Sequence, residues 1–225
     1  MKLASLGVVL AAISAFAGPV RSSPDQTSPQ EIVARLEKNL RSLTSFQADF
    51  EQTSTSSSLS TPLRERGRLA VKKDDMMRWD YTDPEKKTFL FNAGLLQSYF
   101  PEDNQLWRQK VDPEEFESDI PAILTGKARL AERYDIEASP FPGSTPGSPQ
   151  LRLTPKAEED GSFILIEIDP AAWMLRRAVL FDWAGNKTEF VFSRFKANPR
   201  LDARFFEIKV PPDCEIIDGE PPRKK

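Results

Sequence analysis

The chain has 225 residues, enough for one sizeable domain with its own core. Hydrophobic residues make up 39% and charged residues 29%, a globular balance, and a net charge of -3 leaves no basic surplus to displace the counterions of a nucleic acid. Histidine is absent, which removes the usual neutral-pH general base, the Ser-His and Cys-His nucleophile pairs and most zinc sites.

Residues 1–17, MKLASLGVVLAAISAFA, read as a secretory signal. Lys2 gives the positive start, Leu3 to Phe16 the apolar stretch, and Ala15-Phe16-Ala17 a small-residue cleavage site before Gly18. The apolar run is shorter than the roughly 20 residues a membrane span needs. The single cysteine, Cys214, lies near the far end. The lipid-bearing cysteine of a lipoprotein is therefore missing from the first mature position, and no internal disulfide can form. Cys214 reads as a packed small residue, since no cationic neighbour lowers its thiol pKa.

Residues 18–27 are polar and proline-containing, a mobile lead-in to a single domain over residues 28–218. In SPQEIVARLEKNLRSLTSF, Ser28 and Glu31 form a capping box and Pro29 takes the first helical position. Ile32, Leu36, Leu40 and Leu43 recur at helical spacing, opposite Arg35, Glu37, Lys38 and Arg41. This predicts an amphipathic helix of about four turns.

Strands follow. FQADFEQ alternates Phe46, Ala48 and Phe50 with polar residues. After a Ser/Thr loop at 53–61 come GRLAVK, MMRWDY, TFLFN, LLQSYF and QLWRQ, parted by NAG and PEDN turns. MMRWDY sets Met77, Trp79 and Tyr81 on one face and Met76, Arg78 and Asp80 on the other. The acidic pairs Asp74-Asp75 and Glu114-Glu115 sit at turns or helix starts and read as solvated charge. No glycine loop of the phosphate-binding kind appears.

The stretch DPEEFESDIPAILTGKARLAERY returns to helical spacing, with Phe116, Ile120, Ile123 and Leu124 on one side. Pro121 predicts a kinked or broken helix, Gly126 its end, and residues 127–133 a short third helix. Strands resume at YDIEA. A Pro/Gly/Ser loop at 139–149 leads into LRLTP, SFILIEID, MLRRAVLFD, KTEFVFSRF and RFFEIKV, with DWAGN as a hairpin turn. Residues 219–225 read as a disordered basic tail. About eleven strands, joined mostly by tight turns, predict a mainly β fold on one antiparallel sheet that must curl or close. The helical segments need an apolar partner, and the hollow face of the curved sheet is the available one.

These segments, taken in order, resemble the LolA-type outer-membrane lipoprotein carrier proteins. The resemblance rests on FQADFEQ, VKK…RWDYTDPE, LQSYFPEDNQLWRQ, LTPK at 153–156, DWAGNKTEFVFSRFKANPRLDARFFEIKVP and DCEII. It covers roughly residues 28–218. It implies an open, half-closed antiparallel β-barrel whose concave face is covered by an N-terminal helix and a helical insert. It implies a monomeric periplasmic chaperone, not an enzyme. Such a chaperone takes triacylated lipoproteins from an inner-membrane ABC transporter to an outer-membrane lipoprotein receptor. No metal or organic cofactor is expected. Burying the cargo's acyl chains is worth on the order of 30 kcal/mol, so a carrier must offer an apolar hollow.

On this reading Phe50, Met77, Trp79, Tyr81, Phe91 and Tyr99 face the hollow, and Phe116, Ile120, Ile123 and Leu124 form the underside of the lid. The same residues taken singly fit plain core packing. In the family an arginine follows the lysine of the VK strand and ties the lid shut through lid carbonyls. Here that position is Lys73, followed by Asp74 in place of proline. Lysine lacks the planar guanidinium fork, so lid locking is either weaker or uses another residue. Arg78, on the other face, reads as a surface or rim residue. A carrier or sensor of another lipid or glycolipid fits the same pattern, because patterning predicts a hollow without naming its occupant.

Overall fold

The computed structural model describes residues 27–56, 60–73, 76–111, 119–157 and 160–221. The expected signal segment, nearly all of the lead-in, Phe116 and residues 222–225 lie outside them.

Helix α1 (Pro29–Ser42) starts as the sequence predicts: the Ser28 hydroxyl accepts the Glu31 N–H at 3.2 Å, and the Glu31 carboxylate accepts the Ser28 N–H at 2.8 Å. The Ser28 N–H first, and the Ser28 hydroxyl donating to the same carboxylate at 3.0 Å, hold the Glu31 carboxyl below its ordinary pKa. Val33, Leu36 and Leu40 are the buried positions of the helix, with Ile32 and Leu43 packed at its margin.

The strands are β1 (Ser45–Thr55), β2 (Leu63–Lys72), β3 (Met76–Asp83), β4 (Lys87–Asn92), β5 (Leu95–Phe100) and β6 (Gln105–Lys110), then β7 (Tyr134–Ala138), β8 (Gln150–Pro155), β9 (Phe163–Asp169), β10 (Met174–Phe181), β11 (Lys187–Ala197) and β12 (Glu215–Asp218). Between β6 and β7 lie helices α2 (Asp119–Thr125) and α3 (Leu130–Arg133). All the strands join one 12-stranded sheet in the order β12-β6-β5-β4-β3-β2-β1-β11-β10-β9-β8-β7. Its ends, β12 and β7, do not pair with each other, so the barrel is open.

Every pairing is antiparallel except β12 with β6, which is parallel, so the expectation of a purely antiparallel sheet is corrected at that edge. Gly219 and Glu220, expected in the tail, continue this edge: the Gly219 N–H donates to the Arg108 carbonyl, and the Glu220 carboxylate accepts from Gln109.

The hollow face holds the main core. Phe46, Phe50, Leu69, Val71, Met77, Trp79 and Phe91 meet the helices there, with Ile164, Ile166 and Ile168 from β9. Gly67 is required in this layer, because a Cβ would overlap both the Asp80 carbonyl oxygen and the Phe50 ring lying over the strand. The outer face has its own small core. RFFEIKV, expected as a strand, instead forms a 3-10 turn (Ala203–Phe206) and an unpaired strap across the back of the sheet. Phe206 buries itself there against Ala70 and Leu90, with Met76, Leu201 and Ile208 around them. Arg78 fastens this strap, donating to the Phe205 carbonyl at 2.8 Å and the Glu207 carbonyl at 3.1 Å.

Candidate functional site

Strand pairing brings distant aromatics onto the hollow face in one layer. Phe50 pairs with Phe192 across β1 and β11 and approaches the rings of Trp79 and Tyr81 edge-on, at 4.9 Å each. Trp79 also meets Phe190 at 5.7 Å and Phe192 at 6.2 Å, and Tyr81 meets Phe89 at 5.7 Å. These edge-to-face contacts are favourable.

A cavity of about 270 Å³ is lined by Met77, Trp79, Tyr81, Phe89, Phe91, Leu96, Ile120, Pro121 and Phe190. Its walls are almost wholly apolar. Other recesses, of about 360 and 740 Å³, involve the outer face and are lined largely by charged and polar side chains such as Asp49, Arg68, Asp80 and Arg194, or Asp169, Arg176 and Glu189. In the larger one Val191, Phe192 and Phe195 are interrupted by these charged groups, so neither offers the continuous greasy wall of the first cavity.

Helix α2 roofs the hollow with Ile120, Ala122, Ile123 and Leu124, all buried. Yet its bed is incomplete at both ends. Ile120 and Pro121 border the cavity just described, and Leu124 borders an open cleft of about 380 Å³ whose walls mix Leu40, Phe46 and Val71 with Arg41, Thr44, Lys72 and Lys73. A cleft beside a buried side chain gives it fewer packing partners on that side, so this roof is less firmly seated than its burial suggests.

The roof is tied down at its C-terminal end, and from α1. Arg41 donates to the Gly126 carbonyl at 2.8 Å, while the Glu37 carboxylate accepts the Leu130 N–H at 2.8 Å at the start of α3. Gly126 has φ +71, and a Cβ there would come within 3.0 Å of the Glu37 carbonyl oxygen and of Leu40. Only glycine lets the chain turn so close to the helix. Lys73, the expected lock, contributes its backbone N–H to the Thr44 carbonyl at 2.9 Å; its side chain is exposed, without a partner among the described residues.

Of the expected site residues, Met77, Trp79, Tyr81, Phe91 and Ile120 therefore line the cavity, and Phe50 supports its rings from behind. Ile123 is packed into the same core, and Leu124 borders the open cleft. Tyr99 is on the opposite face, because it pairs with Thr88 and Leu106 while Leu96 pairs with Phe91. Phe89, Leu96, Pro121 and Phe190 were not among the expected residues. The Phe190-x-Phe192 alternation in TEFVFS is the signal that could have found the last.

Among the described residues no group of three or more His, Cys, Asp or Glu is placed to hold a metal, and no helix is long and apolar enough to cross a membrane. The arrangement suits shelter for a hydrocarbon group.

A family model described as outer membrane lipoprotein carrier protein LolA matches residues 41–209. An outer-membrane lipoprotein carrier protein from Methylococcus capsulatus is 27% identical over 203 residues, 88% of this chain and 92% of that one. Another, from Xanthomonas axonopodis pv. citri, is 27% identical over 217 residues, 96% of each chain. Among solved structures, an uncharacterized conserved protein from Thermus thermophilus has a TM-score of 0.56 at 17% identity, covering 84% of this chain and 98% of that one; this is a likeness of fold alone.

Proposed function

Because the chain belongs to the LolA family of outer-membrane lipoprotein carrier proteins, we propose that it is a periplasmic chaperone that shelters the acyl chains of lipoproteins beneath α1 and α2. The observation that carries this is the unfilled apolar pocket beneath Ile120 and Pro121, at one end of a roof that also borders an open cleft at Leu124. A cavity of about 270 Å³ falls below the roughly 300–1,000 Å³ of ordinary small-ligand pockets. The described form is therefore the closed one, and three acyl chains require α2 to lift. Cargo then replaces side-chain contacts with chain contacts of similar apolar character, so loading and release need only a modest change in free energy.

The carrier accepts its cargo from an ABC transporter in the inner membrane and yields it to a receptor at the outer membrane. It acts as a monomer and does no chemistry on the cargo. Residues 1–17 serve as the export signal. The acyl-binding residues are Phe50, Met77, Trp79, Tyr81, Phe89, Phe91 and Phe190 on the sheet, with Ile120, Ile123 and Leu124 on the lid.

Photo-crosslinkers at Trp79 and Ile123, in cells making a labelled lipoprotein, test this reading. Capture of lipoprotein by both positions is the expected result. Mass spectrometry of the purified protein finding only free lipid or glycolipid would overturn it in favour of a carrier for a single lipid.

A further inference from the structure

One end of the hollow is not apolar. Along β3, exposure rises from Met77 to Tyr81, and beyond Tyr81 lies a polar cluster on the same face. The Tyr81 hydroxyl donates to the Gln52 side-chain oxygen at 2.7 Å, and the Gln52 amide donates to the Ser54 hydroxyl at 3.2 Å. The Lys87 ammonium donates to Glu65 at 2.5 Å and stands 4.5 Å from the centroid of the Tyr81 ring. Strand register makes this a block: Gln52 pairs with Glu65 and Phe190, and Tyr81 pairs with Lys87. Burial, with the Glu65 charge, pushes the Tyr81 hydroxyl well above its ordinary pKa, so it remains a donor at any physiological pH.

Stability alone does not account for the block. Glu65 is 6% exposed, and taking an ion pair out of water costs much of what the pair returns; hydrophobic residues of similar size are often as stabilising. What the block supplies is donors. The ammonium has three hydrogens, and its one hydrogen bond among the described residues goes to Glu65. The Gln52 amide has a second hydrogen beyond the one given to Ser54.

We propose that Gln52, Glu65, Tyr81 and Lys87 form a subsite for the carbonyl-rich linkage that joins acyl chains to the rest of the cargo. Ester carbonyls accept hydrogen bonds and donate none, so they complement a donor cluster at the edge of a greasy cavity. The site then has a direction. Chain ends lie towards Met77 and Ile120, the linkage stops at Tyr81 and Lys87, and the polypeptide leaves past the turn between β3 and β4. Glu65 holds the ammonium in place. This rests on the carrier reading above.

The test uses two probes on the purified full chain: a synthetic triacylated cysteinyl lipopeptide, and diphenylhexatriene, which is apolar and has no carbonyl. Gln52→Leu keeps the side chain's bulk and removes the amide donor. Lys87→Met combined with Glu65→Gln removes the ammonium without leaving a lone buried charge. Each is expected to weaken lipopeptide binding about five- to tenfold, the loss of one or two hydrogen bonds, and to leave diphenylhexatriene binding unchanged. Unchanged lipopeptide affinity overturns the subsite while the carrier reading stands, and so does an equal loss for both probes, which marks a packing role. A wild-type chain that takes up diphenylhexatriene but no lipopeptide overturns both. If the double variant fails to fold, Gln52→Leu decides alone.

Discussion

The two faces of the sheet bury aromatic side chains in opposite ways. On the outer face Phe206 fills the space over Ala70 and Leu90, and the strap carrying it is fastened by Arg78. On the hollow face Trp79, Tyr81, Phe89 and Phe190 stand edge-on around an empty volume, under a helix whose far end borders an open cleft. The same strands and residue types thus make a filled core behind and a receptive one in front. The difference lies in what covers each face. The strap is an extended segment held by its backbone carbonyls. The lid is a short helix tied at one end.

Introduced charge separates the two most sharply. Leu90→Glu puts a carboxylate at a fully buried position, 0% exposed, between the sheet and the fixed strap. It is expected to cost more than about 4 kcal/mol, enough to unfold much of the population. Ile120→Glu is buried almost as well, but α2 can lift and hydrate the charge. Its cost should be roughly half, with lipopeptide binding nearly abolished in the molecules that remain folded. Urea titration with binding measured per folded molecule checks both. Equal unfolding would mean that the lid is as fixed as the strap.

Deletion gives a smaller contrast. Phe206→Ala should cost about 3–5 kcal/mol with acyl binding per folded molecule intact. Trp79→Ala should cost less, since the ring already borders empty space, and should shorten retention of a lipopeptide more than tenfold in a dissociation assay. A reversal of these two patterns would exchange the roles assigned to the faces.

The lid tie comes next. Arg41→Ala removes a hydrogen bond from a half-exposed guanidinium to the Gly126 carbonyl, worth about 1 kcal/mol. The open population should rise about fivefold, seen as faster hydrogen exchange in α2 and faster lipopeptide release. Lys73→Ala should change neither.

How much of this the sequence discloses depends on whether a feature is local. The capping box of Ser28 and Glu31 and the alternation of Met77, Trp79 and Tyr81 are set within a few residues, and the structure has them as read; on α1 it buries Leu36 and Leu40 as read, but Val33 joins them while Ile32 and Leu43 stay at the margin. RFFEIKV misleads because period-two burial belongs to any extended segment with one face covered, whether or not its backbone pairs. Phe206 and Ile208 alternate because the strap lies flat on the sheet. Tyr99 misleads through register. A single step decides which face a side chain takes, and here Leu96, not Tyr99, falls opposite Phe91. The parallel partner of β12 and the tie from Arg41 to Gly126 join residues far apart in sequence. Glu37 and Arg41, read as a solvated face, are a lid clamp only because the insert returns to α1.

The smallest expected effect tests the fixed end of the lid assembly. Asp169 closes the turn between β9 and β10 by accepting the N–H groups of Ala171 and Ala172, at 2.9 and 3.0 Å, and a guanidinium N–H of Arg176 at 2.6 Å. The same turn anchors α1, since Asn39 donates to the Trp173 carbonyl at 2.8 Å and Arg35 lies over the Trp173 ring. The Ala172 N–H first, and the Arg176 hydrogen bond next, hold the Asp169 carboxyl below its ordinary pKa. A lowered folded-state pKa means that the stabilisation is complete above the unfolded value of about 3.9 and is lost as pH falls through the folded value. Asp169→Asn should therefore lower stability by about 0.5 kcal/mol near neutral pH, a loss kept small by solvent screening. The gap between variant and wild type should close in acid. A gap that persists there would mean that the turn is held by its backbone alone, and that α1 keeps its anchor without the carboxylate. In that case the asymmetry of the lid, fixed through α1 and loose at Ile120, rests on the Arg41 and Glu37 clamp and owes nothing to the Asp169 carboxylate.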